Sequence, residues 1–333
     1  GSDYIDTTLY TGNGANSRTI SGLGFSPDFL WVKDRGNTAG DFSNRLMDAV
    51  RGAGIALSTN STAAERDNSA QSGGGVETFT SDGFTIEQGT SNNNNQNNNN
   101  SAYVAWAWDA GSSTASNTNG SITSQVRASQ TAGISILTYT GDGSGTDTIG
   151  HGLADAPSLV ITKSRGTTGS WRVFTDVGGT WKIGNLNNND AFVNAGVSAP
   201  TSSVFSVDGN SNASTTHIAY CFAPVAGYSA IGQFTGNTTI TPFVHTGFAV
   251  QWLLIKGVDA SNDNWKIFDN TRSPFNVADD WLATNKSNAE VTSNNNKVDF
   301  LSNGFKLRTT GGGDSNLSSK RYIYLAIAEN PFQ

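Results

Sequence analysis

The sequence predicts an all-β chain built as three tandem antiparallel β-sandwich repeats, jelly-roll or lectin-like, of about 100 residues each. Three observations lead there. One ordered set of landmarks recurs three times, turn signals come at short spacing, and long amphipathic helical patterns are absent. The chain holds 38 Gly and 7 Pro, and its polarity comes from Asn, Ser, Thr and Gly because only 14% of residues are charged. An aromatic share of 10%, with 8 Trp and 17 Phe, gives it the core anchors that disordered polar chains lack.

Each unit opens on an aromatic-Thr-Gly phrase: "YTGNG" at 10–14, "YTGDG" at 139–143 and "FTGN" at 234–237. An apolar strand ending in lysine follows, "FLWVK" at 29–33, "LVITK" at 159–163 and "WLLIK" at 252–256. Next, "WRVFTD" at 171–176 matches "WKIFDN" at 265–270, with "RLMDAV" at 45–50 in the same slot, and "RLMDAVRG" at 45–52 is predicted as a short helical turn. "LSTNSTAAE" at 57–65 matches "LATNKSNAE" at 282–290, and the second unit reads as lacking this piece. "FTSDGFTI" at 79–86, "FSVDGN" at 205–210 and "FLSNGFKL" at 300–307 each carry Asp-Gly or Asn-Gly, which predicts a type I′ hairpin in every unit. The units close on "YVAWAW" at 103–108, "HIAYCF" at 217–222 and "YIYLAI" at 322–327. These closing strands put large side chains on one face and Ala or Cys on the other. A central strand buried on both sides is expected, with the large face in the sandwich core.

The resulting boundaries are 4–111, 133–225 and 227–333, with a Ser/Thr/Asn-rich linker or surface arm at 112–132. "SNNNNQNNNN" at 91–100 occupies the slot of "SNAST" at 211–215 and "TTGGGDSNLSSK" at 309–320, so it reads as a loop of variable length between two strands. Asn94, Gln96, Asn98, Asp314 and Asn316 are the candidate ligand-binding residues, as amides and a carboxylate at loop tips.

A net charge of −7 argues against a nucleic-acid partner, and no apolar run reaches the ~18–20 residues of a membrane span. Gly1-Ser2 resembles a cloning remnant and no signal peptide is visible. Cys221, in "IAYCFA", reads as a buried inert thiol. His151 and His245 occupy equivalent places where the first unit has Ser21, which suits turn or surface residues better than catalysts; His217 reads as a strand residue. No His or Cys spacing suggests a metal, the Asp142/Asp147 pair reads as a polar turn, and Glu65 and Glu290 read as structural carboxylates accepting backbone N–H groups. No catalytic residue and no cofactor is assigned.

The ordered phrases "FSPDFLWVKDRG", "RLMDAVRGAG", "FTSDGFTI", "YVAWAWDAG", "GISILTYTG", "LVITKSRG" and "YIYLAIAENPF" resemble the tandem modules of marine bacteriophage tail-fibre and related virion proteins. The resemblance covers nearly the whole chain. It implies a non-enzymatic protein of the virion surface that contributes to host attachment. Its expected partners are a host cell-surface glycan or protein and other virion proteins, with room for a homotrimer. A structural spacer or decoration module of the virion and a secreted carbohydrate-active enzyme are the alternatives.

Overall fold

The computed structural model describes residues 4–36, 43–68, 74–89, 96–238, 241–292, 295–308 and 315–332. Among them no helix occurs, and the strands form three large antiparallel sheets and three small ones. Of the "RLMDAVRG" segment at 45–52, expected as a helical turn, the first four residues are the strand Arg45–Asp48 paired with Phe29–Asp34, and a turn follows only at 49–51. The strand's four residues are all buried, and in-register pairing to an apolar strand outweighs a weak local preference.

The large sheets share one strand order. In the first, Ile5–Thr11, Ala102–Trp108, Phe29–Asp34, Arg45–Asp48 and Gly52–Ser58 lie side by side. The same succession is Ile134–Thr140, Thr216–Phe222, Leu159–Ser164, Arg172–Asp176 and Trp181–Asn185 in the second. In the third it is Ser229–Thr235, Arg321–Ala328, Val250–Gly257, Lys266–Asp269 and Asp280–Ala283. Thus each closing strand sits between the first strand and the lysine strand of its unit. Part of the 112–132 segment is itself sheet: Thr114–Asn117 and Ser124–Ser129 extend the edge of the second large sheet, and Arg127 pairs with Asp28 of the first unit at 2.6 Å.

The Gly-containing phrases correct the expected turns. Hairpins form in units one and three, but Thr80 pairs with Gly83 and Leu301 with Gly304, so the turn residues are Ser81-Asp82 and Ser302-Asn303. Glycine is needed for a different reason. A Cβ on Gly83 would stand 1.9 Å from the Ile20 carbonyl oxygen of the neighbouring strand, and one on Gly304 2.0 Å from that of Val244. In unit two the Asp-Gly phrase forms no hairpin: Val204–Val207 pairs with Asp147–Gly150 as a two-stranded sheet, and Asp208 turns back to bind Arg172 at 2.7 Å. Phe205 faces Ile149 as Phe84 faces Ile20 and Phe305 faces Val244, so the second unit's phrase aligns with the return strand of the others.

Two kinds of core follow from the two faces of each closing strand. Ala105 and Ala107 pack with Leu30, Val32, Ile20, Phe84 and Ile86, between the first large sheet and its small sheet. The small-residue faces of units two and three do the same under Phe205 and Phe305. The large faces, expected inside the sandwiches, point the other way: Trp106, Trp108, Tyr220, Phe222, Leu325 and Ile327 meet in one core shared by all three large sheets. Alanines let the small sheet approach its own large sheet closely, while the bulk fills the space where three sheets converge.

The seams between units repeat as well. Trp171 Nε1 donates to the Ser58 carbonyl at 2.8 Å, Trp265 Nε1 to that of Asn185 at 2.9 Å, and Asn44 Nδ2 to that of Ala283 at 3.1 Å. Each donor is thus held by the preceding unit, and the third unit is followed by the first, so the contacts close a ring. The backbone N–H groups of Asn44, Trp171 and Trp265 are accepted by Asn60, Asn187 and Asn285. Unit two therefore keeps the asparagine of the Leu-x-Thr-Asn phrase that it was expected to lack, at Asn187.

Candidate functional site

Of the five residues expected at loop tips, Asn94 and Asp314 lie outside the described residues. The other three are interior, which corrects the expectation. Gln96, Asn98 and Asn316 are all buried. Gln96 Oε1 accepts from the Val76 N–H at 2.9 Å, and its carbonyl accepts from the Tyr10 hydroxyl at 2.9 Å. Asn316 holds Asn237 from both sides, Nδ2 donating to its carbonyl and Oδ1 accepting from its N–H, each at 2.7 Å.

The same arrangement recurs at Asn97, whose Oδ1 accepts from the Asn13 N–H at 3.1 Å, and at Asn212, whose Oδ1 accepts from the Asp142 N–H at 3.3 Å. In each unit a buried asparagine just before the closing strand fastens the loop after the aromatic-Thr-Gly phrase. That explains the glycine of the phrase: a Cβ on Gly12, Gly141 or Gly236 would stand 2.0, 2.3 or 2.4 Å from the carbonyl oxygen of Asn98, Ala213 or Leu317. Beside each latch two rings stack, Tyr10 on Tyr103, Tyr139 on His217 and Phe234 on Tyr322. Burial pushes the Tyr103 hydroxyl up to about 12. The second half of the asparagine tract is therefore structural. Sequence pattern missed this because a buried, fully bonded amide and a solvated one are the same letter.

His151, His217 and the carboxylates singled out above are also bound internally, whereas His245 is exposed at the end of the strand Phe243–His245. His151 is buried in irregular chain just after the strand Asp147–Gly150, its Nδ1 accepting from the Leu153 N–H at 3.1 Å and its Nε2 set 3.1 Å from the Thr201 carbonyl. Burial lowers its pKa from the ordinary histidine value, as it does for His217, where Lys163 adds repulsion. Burial pushes the Cys221 thiol up, which suits an inert core residue. Asp142 and Asp147 share the Asn212 Nδ2, at 3.0 and 2.8 Å. Glu65 and Glu290 bind guanidinium groups across unit seams, Glu65 that of Arg165 at 2.8 Å and Glu290 that of Arg35 at 2.6 Å. Their expected partners were backbone N–H groups.

A groove of 310 Å³ with mixed chemistry opens to solvent on the third unit, lined by Asn270, Ser273, Phe275, Asn276, Ser302 and Glu329 among others. Phe275 is 83% exposed at its rim. Asn270 Nδ2 donates to Glu329 Oε1 at 3.1 Å, so an amide and a carboxylate stand paired on one side of the groove. Asn276 is fixed by both backbone groups of Phe300, at 2.8 Å each, so the loop carrying Phe275 is anchored. The loop is an elaboration of the frame: residues 272–282 correspond to 51–57 of the first unit, four residues longer. Exposed residues on a rigidly held, extra loop are where binding function concentrates. The sequence signal was the "SPFN" insertion at 273–276, beside the repeat but not part of it.

One protein-family model matches the chain, over residues 1–331; its description is domain of unknown function (DUF7483). No curated protein and no solved structure matches it.

Proposed function

We propose, for a chain that belongs to the DUF7483 family, a non-enzymatic virion surface protein of the tail-fibre kind that contributes to host-cell attachment by holding surface glycans in the Phe275 groove. The observation that carries this reading is an aromatic ring 83% exposed on an anchored loop, next to the Asn270 amide and the Glu329 carboxylate. A sugar presents a C–H face that packs on a ring and hydroxyls that pair with planar amides and carboxylates. Glycoside hydrolysis by contrast uses two acids, and Glu329 is the single acid among the described residues lining the groove.

The fold we assign with it is three tandem antiparallel β-sandwich repeats, at 4–111, 133–225 and 227–333. The common strand order of the large sheets, each paired in its core with a small sheet, supports this reading. Three sheets closed into a ring give a rigid platform with loops around its margin, suited to display on a particle surface, where other virion proteins would be neighbours. A host-surface protein is the other receptor class to compare.

The test is binding of the labelled whole chain and its Phe275→Ala variant to candidate host cells and to a glycan array. Loss of binding at an unchanged unfolding midpoint is expected. Equal binding by both removes the groove from the proposal, absence of any cell binding favours a structural spacer, and turnover of surface polysaccharide favours an enzyme.

A further inference from the structure

The second unit contains a polar pocket of 190 Å³ at the end of its lysine strand. It lies below the roughly 300 Å³ where pockets for drug-sized ligands begin, which suits one sugar ring or smaller. Lys163 lines it and is buried, so it stands at the bottom, while Thr167, Thr168, Ser170 and Asn210 line it with hydroxyl and amide groups. The Lys163 ammonium donates to two backbone carbonyls, Ser164 at 2.7 Å and Thr167 at 3.5 Å, and the ion pairs among the described residues include none to it.

Charge around the pocket sums to one unmatched cation. Arg172 is neutralised by Asp208 at 2.7 Å, and Glu65 by Arg165 at 2.8 Å. His217, also on the wall, is held neutral because burial and Lys163 both disfavour its cation; its Nδ1 is buried without a partner. One net positive charge ringed by hydroxyls matches a monoanion that also carries hydroxyls.

Comparison with the third unit shows what is missing. Counting back from Trp171 and Trp265, Gly169 stands where the third unit has Asp263. Asp263 binds Lys266 at 2.6 Å, and its carboxylate lies against Gly257, the neighbour of Lys256. In the second unit the frame persists, Arg172 standing for Lys266 and Lys163 for Lys256, but the carboxylate is gone and the pocket opens in its place. At the equivalent lysine of unit one, the Ser287 carbonyl from unit three is 3.0 Å from Lys33 Nζ.

We propose that this pocket binds the carboxylate of an acidic sugar residue, which fills the position taken in the third unit by Asp263. A charge-assisted bond to Lys163 holds the carboxylate, and Thr167, Thr168, Ser170 and Asn210 pair with ring hydroxyls. The sugar class rests on the glycan reading above, but the site is separate from the Phe275 groove, so the two can fail independently.

Calorimetric titration of the whole chain with glucuronate, glucose and acetate tests it. Glucuronate should bind at least about tenfold more tightly than either of the others. Lys163→Met should weaken it by about tenfold or more. Gly169→Asp, which supplies an internal carboxylate where a Cβ meets nothing closer than Ser164 Cβ at 3.8 Å, should do the same, and Phe275→Ala should leave it unchanged. No glucuronate binding, equal affinity for acetate, or full binding by both pocket variants overturns the proposal.

Discussion

The Trp106 indole N–H donates to Asp269 Oδ2 across 3.0 Å, joining the first unit's closing strand to a carboxylate of the third. Arg272 completes the group, bonded to the same oxygen at 2.5 Å with its guanidinium 5.5 Å from the Trp106 ring centre. One seam further on the group recurs with a phenol in place of the indole: the Tyr220 hydroxyl donates to Asp48 Oδ2 at 2.7 Å, and Arg51 binds that oxygen at 2.6 Å. At the third seam Leu325 holds the position of Trp106 and Tyr220, Thr175 that of Asp48 and Asp269, and Gly178 that of Arg51 and Arg272. Donor, carboxylate and arginine are lost together, because a buried carboxylate kept without the other two would be strongly unfavourable.

These clasps give opposite results for single and paired substitution. Arg51→Met should destabilise the chain by about 3–5 kcal/mol, since it leaves Asp48 buried without its cation. Adding Asp48→Asn should recover part of that loss. Urea unfolding of the two variants and of Asp48→Asn alone completes the cycle, and simple additivity would show that the pair does not act as a unit.

Two glycines of the same Asp-Gly phrase should behave differently. Gly83→Ala forces a Cβ to within 1.9 Å of the Ile20 carbonyl oxygen, where a backbone must move. A cost of about 1–3 kcal/mol is expected, as for other overpacked sites. Gly209→Ala meets nothing within 4 Å and should be close to neutral. Thermal unfolding of both variants distinguishes close approach from turn conformation as the reason for glycine: a loss of similar size at both would favour the turn.

Much of the fold was legible because repetition multiplies weak signals. The all-β class and the positions of the closing and lysine strands followed from phrases that recur. What failed were inferences from local chemistry. Alternation along 103–108 correctly showed a strand buried on both faces, yet it could not say that the indoles face a three-sheet core, because the neighbour on each face is set by distant chain. Asp208-Gly209 and Asp82-Gly83 are the same dipeptide with different surroundings. For the candidate site the sequence offered too many amides, and the groove was found only when exposure separated Phe275 from the fifteen other phenylalanines among the described residues.

Lys163 makes a prediction about pH that is separate from any ligand. Burial lowers its pKa to about 8, with Arg51 acting in the same direction and Glu65 opposing. In the unfolded chain a lysine titrates near ~10.4. Between these values the unfolded state binds more protons, so this residue's contribution to stability rises with pH. Relative to Lys163→Met, the wild-type chain should therefore be least favoured below pH ~8 and gain steadily up to pH ~10.4, then level off. Parallel denaturation of the two chains from pH 7 to 10.5 reads the difference directly. A flat difference would mean that the ammonium is as well solvated in the fold as outside it.

The asparagine tract supplies the last prediction. Residues 96–98 pack in the interior, with Asn97 holding the Asn13 N–H and donating to the Ala15 carbonyl at 2.9 Å. Replacing 91–100 by the "SNAST" of the second unit shortens the loop, which changes closure cost by only about 0.6 kcal/mol per halving. That replacement also carries an asparagine in the register of Asn212, so the latch can reform, but it removes the Gln96 amide that accepts from the Val76 N–H, and the variant should lose about 1–3 kcal/mol relative to wild type. "SAAST" in the same place should cost about 1–3 kcal/mol more, because the buried groups that Asn97 satisfies lose their partner. Equal stability of the two replacements would show that the tract is held by its ends alone. A larger loss with "SAAST" would locate the hold in a single amide.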